Sequence, residues 1–481
     1  MLGFKSLFRI KPIEKNINNN MKLNRCLTAT DLTFLGIGAI IGAGIFVLTG
    51  IAAATQAGPS IILSYVLAGI ACGFSALAYA ELASSIGGCG GAYGYAFASI
   101  GELIAWIIGW DLLLEYGMDA ATVSMGWGGY AQNALQAIGL PLPHALITDP
   151  FHGGIVNLPA VVIIFILAYV LSLGVKASSK FNKVIVFIKL FVIALFLGIG
   201  AFYFNPANWK PFLPFGMQGI VNGAGLIFFA YIGFDAVSTA AEETKNPHRD
   251  LPIGIIASLL ICTLVYVAVA TVLTGIMYYP ELNVSSPVAA ALIKLNYHFA
   301  GEIIALGAIA GLTTAIMAMY FGFTRVYLAM ARDGLLPKMF VKLHPITRSP
   351  RQLVWFVGGL MAVVAGFFPI NQIANIVNIG TLAAFTAVCG SVVVLRFTRP
   401  NMPRPFKTPF SPLVPLIGIL LCLYLMSSLP RATWTSFCIW TLIGLVIYFS
   451  YSRFNSVLLT EEEAINDVEI TPKARNASCT S

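Results

Sequence analysis

Four carboxylates and one amine stand where an apolar chain tolerates charge least. In WDLLLEYGMDAATVS, Asp111, Glu115 and Asp119 recur every four residues and so share one face of a helix. In KVIVFIKLFVIALFLGIGAF, Lys189 lies six residues past Lys183 in an otherwise apolar stretch, and Asp235 follows FFAYIGF. A charge in a bilayer core costs about 2.5–3.5 kcal/mol on insertion scales, so each side chain kept there is a functional candidate. Burial disfavours the ammonium form of lysine, and an amine that releases and regains a proton can carry one. The simpler reading of Lys189 is a long stem snorkelling to the membrane edge, as Lys183 can. Asp111 and Asp119 read more simply as structural. For Glu115, pairing with a neighbouring helix and a functional role both stand.

Glycine supplies the second signal. GAIIGAGIF, residues 38–46, has three glycines in nine positions, each costing a helix about 1 kcal/mol relative to alanine. Gly38 and Gly42 form a GxxxG pair that would let another helix approach. The alternative is a break. A second stretch, GAGLIFFAYIGFDAVSTAAEETKNPHRDLP, also combines glycines (Gly223, Gly225, Gly233) with Phe229, Ala230, Tyr231 and Ile232. Interrupted segments at corresponding places in two halves of a chain mark a carrier with inverted repeats and a midplane site, and this favours the break. Freed N–H groups at a half-helix end suit a carboxylate and freed carbonyls suit an ammonium, so a zwitterion fits both.

The elements that must position these groups are membrane helices. Of 481 residues, 58% are hydrophobic and 10% charged, against roughly 25% charged in soluble domains. Apolar windows of bilayer length recur, and twelve are centred near residues 44, 71, 116, 166, 194, 229, 264, 315, 360, 383, 420 and 441. A β-barrel would instead alternate over segments half as long. Threading the chain from an inner N-terminus leaves only Lys210, Lys294 and Arg431 in outer loops, with Lys189 and Arg325 inside spans and the other Lys and Arg on the inner side. That bias is the positive-inside rule, so the net charge of +8 reports topology and no nucleic-acid partner is expected. No cleavable leader is expected in residues 1–30. The cysteines show no CxxC spacing, and His144, His152, His248, His298 and His344 lie in loops without an HExxH pattern, so no metal or cofactor is expected. A membrane enzyme would need a nucleophile and base, or a metal set, at membrane depth. None is evident.

The chain resembles the amino acid/polyamine/organocation transporters, and within them the cationic amino acid transporter family, from about residue 27 to 455. The most specific stretches are GIGAIIGAGIFVLTG, FFAYIGFDAVSTAAEETKNPHRDLPIGI and RPFKTPFSPLVPLIGILLCLYLMSSLPRATWTSFCIW. The resemblance implies an all-α membrane protein of the LeuT type, a 5+5 inverted repeat with two extra helices and about 12 transmembrane helices. It implies that Gly42, Ala43 and Gly44, with Ile40, hold the substrate carboxylate. Phe229, Ala230 and Ile232 would take the amino group through carbonyls and cover the side chain, with Met319 facing its far end. Lys189 matches a family lysine whose amine occupies the place of the sodium ion held between spans one and eight in sodium-driven relatives, so a proton would replace sodium. Glu115 matches a family acid of less defined role. Two departures stand out: SSIGGCGGAYGYAFASIGE lacks the Pro and basic residue usual between spans two and three, and Ala43 stands where relatives often carry a hydroxyl.

The expected organisation is a cytoplasmic tail over 1–30, a core over 31–396 made of repeats 31–205 and 216–396, a last pair of helices over 397–455, and a cytoplasmic tail over 456–481. The expected activity is proton-coupled uptake of amino acids across a plasma (cell or inner) membrane, with both termini cytoplasmic. The apolar character of the assigned pocket favours a small neutral substrate such as alanine. A cationic substrate, exchange instead of symport, and a nontransporting amino acid sensor are the alternatives. Lipid, proton and amino acid are the expected partners, and no partner subunit is specified.

Overall fold

The computed structural model describes residues 7–12, 23–42, 44–137, 139–140, 142–284, 287–368, 370–427, 429 and 431–459. These residues form helices and connecting turns, with one isolated bridge pairing Leu27 to Thr244. In chain order the helices are α1 (Ala29–Ile40), α2 (Ile61–Ser85), α3 (Ala92–Ser99), α4 (Glu102–Ala137), α5 (Leu158–Ser172), α6 (Val175–Ala201) and α7 (Gly216–Ile227). After them come α8 (Pro247–Ile276), α9 (Pro287–Lys294), α10 (His298–Arg332), α11 (Arg351–Phe367), α12 (Ile370–Thr398), α13 (Leu413–Ser427) and α14 (Arg431–Ile447).

Among the described residues seven helical stretches are long and apolar enough to cross a membrane, and α1, α5, α11 and α13 are shorter apolar helices. Helix α4 covers the remaining apolar window; its 36 residues give a length of about 54 Å. Large apolar side chains such as Leu264 and Phe191 lie outward and exposed, an arrangement that lipid tolerates and water does not. Asp111, Glu115 and Asp119 all turn inward and are buried, as their shared face requires.

The core is assembled around α1, which packs against α6, α8 and α10, while α4 runs along α10 and α12, and α2 along α8. Helix α1 starts cleanly because Thr28 and Asp31 form a reciprocal capping box. Two further joints fix the periphery. The indoles of Trp106, Trp110 and Trp440 stack at 5.7 and 4.5 Å between centroids. Trp110 and Trp440 each donate Nε1–H to the other's carbonyl, at 3.0 and 3.2 Å, which fastens α14 to α4. At the end of α2, the buried Glu81 carboxylate accepts from Arg396 at 2.8 and 3.0 Å and from the Thr408 backbone N–H at 2.7 Å, with Arg404 at 3.2 Å. The RPFKTPF stretch is thereby held against α2.

Candidate functional site

The first glycine-rich stretch is broken, not continuously wound. Helix α1 ends where Ile41 leaves helical geometry (φ −78°, ψ 92°), and the chain resumes as a π-helical turn at Gly44–Leu48. Ala43 lies outside the described residues. The second stretch breaks later than its first glycines suggest. Gly223 and Gly225 sit within α7; the chain then tightens into a 3-10 turn at Phe228–Tyr231, extends at Ile232 (φ −59°, ψ 138°) and resumes as a 3-10 segment at Asp235–Glu243. Gly233 makes the turn possible, since its φ of +118° suits only glycine and a Cβ there would lie 2.8 Å from both Ala39 Cβ and the Met319 methyl.

The two interruptions touch. A Cβ on Gly44 would overlap Ala230, and one on Gly42 would lie 3.2 Å from Ala315 Cβ on α10. Ile40, Ala230, Ile232 and Met319 are buried here, and Phe229 is partly buried beside them. The freed carbonyls already have protein partners. Tyr266 of α8 places its hydroxyl 2.6 Å from the Ile40 carbonyl and 2.8 Å from that of Ala230, while the Phe229 carbonyl accepts the Ile232 N–H at 3.2 Å. Tyr65 reaches Thr49 at 2.6 Å beside the Gly44 carbonyl.

Lys189 does not snorkel. Its side chain is fully buried, and Nζ donates toward the carbonyls of Ile37 at 3.0 Å, Gly38 at 3.1 Å and Ile41 at 2.9 Å, and toward Thr314 Oγ1 at 2.9 Å. The amine therefore lies between the broken end of α1 and α10. Four neutral oxygens around one point satisfy an ammonium fully, and no carboxylate is among them. Lys183, by contrast, pairs with Asp31 near the start of α1.

Glu115 belongs to a separate acid cluster. Neither of its oxygens has a hydrogen bond of good geometry, and the neighbouring Thr381 hydroxyl donates to the Val377 carbonyl at 3.2 Å. Asp111 is likewise without a partner, against the backbone of Gly380 on α12. Asp235 accepts from the Tyr116 hydroxyl and, at 3.2 Å, from the Gly233 N–H. The α4 face and the second interruption thus meet through Tyr116 and Asp235.

The sequence matches the amino acid permease family over residues 27–449. The chain belongs to that family. The permease is 48% identical to the methylthioribose transporter of Bacillus subtilis (strain 168), with 94% of this chain and 99% of the relative covered. It is 47% identical to a branched-chain amino acid permease of the same organism, with the same coverage. The vacuolar cationic amino acid transporter 4 of Arabidopsis thaliana is 36% identical over 79% of this chain and 64% of its own length. The permease is therefore a multi-pass membrane protein of the amino acid/polyamine/organocation superfamily whose function is amino acid transport, and it is not an enzyme.

Sequence reasoning missed the groups that tie the permease's elements together. Tyr266 and Thr314 are ordinary residues of apolar helices until the fold brings them to the interruptions. Arg325 was visible only as a charge inside a span. It makes a buried two-point pair with Glu243, at 2.8 and 3.1 Å, and lies over the Phe321 ring. Near this basic end, Arg332 donates to Glu242 and Lys11 to Asp333, each at 2.7 Å, and Tyr93 adds a bond to Asp333 at 2.8 Å. These pairs join the second half of the broken segment, the end of α10 and the N-terminal stretch. Two acids in TAAEE and a cation on each of two turns of RVYLAMAR were the available signal.

Proposed function

We propose that the permease takes up neutral amino acids together with a proton, by alternating access about the two interruptions, with Lys189 as the proton carrier. The observation that carries this reading is the Lys189 amine held by four oxygens between α1 and α10. An ammonium has three protons to give. A neutral amine has two and a lone pair, which can accept only from a hydroxyl such as Thr314. Deprotonation therefore strands at least one carbonyl of the α1 end and loosens α1 from α10. Protonated Lys189 braces the substrate-binding state, and its loss of a proton toward the cytoplasm releases it.

In this reading the core is of the LeuT type, with inverted repeats over 31–205 and 216–396, in the plasma membrane with both termini cytoplasmic. The substrate carboxylate sits at Gly42, Ala43 and Gly44 near Ile40, and its amino group at the Phe229, Ala230 and Ile232 carbonyls. Gripping a solute between them requires Gly44 and Ala230 to part, which is a motion of one half against the other. Glu115 takes part through Asp235, which adjoins the second break. The driving force suffices: 100 mV supplies ~2.3 kcal/mol per charge and one pH unit ~1.4 kcal/mol, together about a few hundredfold of accumulation.

A neutral substrate is favoured by the apolar Ile40, Ile232, Phe229 and Met319, and by a 47% identical relative named a branched-chain amino acid permease. The 48% identical relative named for methylthioribose favours that compound as a second reading. Uptake into proteoliposomes of labelled alanine, leucine, arginine and methylthioribose, with and without an imposed proton gradient, separates these and distinguishes symport from exchange. Accumulation of alanine or leucine driven by the gradient is expected. If a Lys189→Ala protein still follows the gradient, the coupling mechanism is wrong.

A further inference from the structure

A cavity of about 1170 Å³ opens at the basic end of the bundle, away from the two interruptions. Two acids line it, and both are occupied. Glu242 accepts from Arg332 at 2.7 Å and from the Cys89 N–H at 3.2 Å; Asp333 accepts from Lys11 at 2.7 Å and from Tyr93 at 2.8 Å. The same cavity is lined by Arg25, Lys338 and Lys342. All three are exposed, and none forms an ion pair among the described residues. They come from three separate places: the approach to α1, and two positions in the α10–α11 connection. The acids Glu461, Glu462 and Glu463 lie outside the described residues.

We propose that this basin binds a phosphate-bearing anion through Arg25, Lys338 and Lys342. With Glu242 and Asp333 paired to Arg332 and Lys11, the cavity keeps an excess of positive charge from Arg25, Lys338 and Lys342. A walled concavity with such an excess concentrates counter-ions beyond what scattered surface charges do. One guanidinium and two ammonium donors lining one cavity suit the several acceptor oxygens of a phosphate group. A zwitterionic amino acid leaves this excess charge unanswered, because its own ammonium is repelled. The volume admits a group much larger than a single ion. The bound anion also lies beside Lys11 and Arg332, where it competes with Asp333 and Glu242 for their cations, so its binding is linked to these two ion pairs.

The phosphate can come from a soluble ester or from a lipid headgroup, and the basin faces the cytoplasmic side only if the transport reading above holds. Binding itself does not depend on transport. The full-length permease in detergent is titrated with inorganic pyrophosphate at constant ionic strength while its thermal midpoint is followed. In parallel it is reconstituted in phosphatidylcholine vesicles with and without phosphatidylglycerol. The Arg25→Gln/Lys338→Gln/Lys342→Gln protein is compared with Lys210→Gln, which removes a charge elsewhere. A rise in midpoint with pyrophosphate, weakened on the order of tenfold in affinity in the triple variant but not in Lys210→Gln, establishes a soluble phosphate ligand. Stabilisation by phosphatidylglycerol alone, lost in the triple variant, establishes the headgroup. No shift with either, or an equal shift in both variants, overturns the proposal. Failure of proton-driven uptake with the pyrophosphate shift intact would refute only the transport reading.

Discussion

Tyr266 faces Ile40 with a hydroxyl 2.6 Å from its carbonyl, and the same oxygen stands 2.8 Å from the carbonyl of Ala230. One proton serves two acceptors on two broken segments. The bridge holds the interruptions together in a way that a small rotation of either can change. Tyr266→Phe leaves both carbonyls without this donor in a buried setting, a loss of about 1–3 kcal/mol. The expected result is a folded protein with a lower thermal midpoint and strongly reduced uptake, checked by detergent melting and transport on the same preparation.

Gly44 should tolerate no side chain. An added Cβ would meet the Ala230 backbone Cα at 2.6 Å, and backbone cannot step aside as a flexible side chain would. Gly44→Ala is expected to abolish uptake. Gly73→Ala in α2, where a Cβ meets nothing within 4 Å, is the matched control and is expected to transport normally.

Thr314 bears on coupling. Its hydroxyl lies 2.9 Å from Lys189 Nζ and 3.0 Å from the Gly38 carbonyl, so it is the member of the Lys189 set able to donate to a neutral amine. Thr314→Val is expected to shift the pH dependence of uptake, while Thr314→Ser keeps it. Initial rates across an external pH series check this. Equal profiles for Val and Ser would count against Thr314 having that role.

The Arg325–Glu243 pair is buried on both sides, so removing one partner leaves a charge stranded at a cost of about 3–5 kcal/mol, whereas an apolar replacement of both is far milder. Glu243→Gln and Arg325→Met are each expected to lower the thermal midpoint markedly, and the Arg325→Met/Glu243→Leu double variant to recover most of it.

Asp31 allows a pH argument outside the membrane. Burial alone would raise its carboxyl, but Lys183, Thr28 and Ser179 hold it below the usual aspartate value. A depressed native value gives stability that is complete above the unfolded value, about 3.9, and is lost as pH falls through the native one. Asp31→Asn should therefore weaken the protein equally at pH 5 and pH 8, and any change in uptake between those values must originate elsewhere. Melting both proteins at the two pH values tests this.

The parts of the site legible in sequence are those where composition and location conflict. Lys189 in an apolar run, glycines 38, 42 and 44 in a span, and the acids of α4 all violate what lipid favours, and each marks a real feature: a buried amine, a broken helix, an inward face. The break near Gly233 was harder to locate, because Gly223 and Gly225 are equally conspicuous in sequence while only Gly233 takes a positive φ. Tyr266 and Thr314 break no local rule, and their importance comes from carbonyls many residues away. The pairing of Arg325 with Glu243 similarly depends on which helices lie side by side, which periodicity does not encode. The apolar windows all fall on helical stretches or, near residues 44 and 229, at a break, since hydrophobic length is set by the bilayer rather than by neighbours.

The row of Trp106, Trp110 and Trp440 gives the protein its own optical gauge. Indoles 4.5 Å apart and 13° from parallel exchange excitation and circularly polarise it jointly, so the near-ultraviolet dichroism of the intact chain reports whether the final helix is seated, without any attached dye. Any working movement of the two interruptions that leaves this signal unchanged must pivot on a frame to which α14 remains fastened.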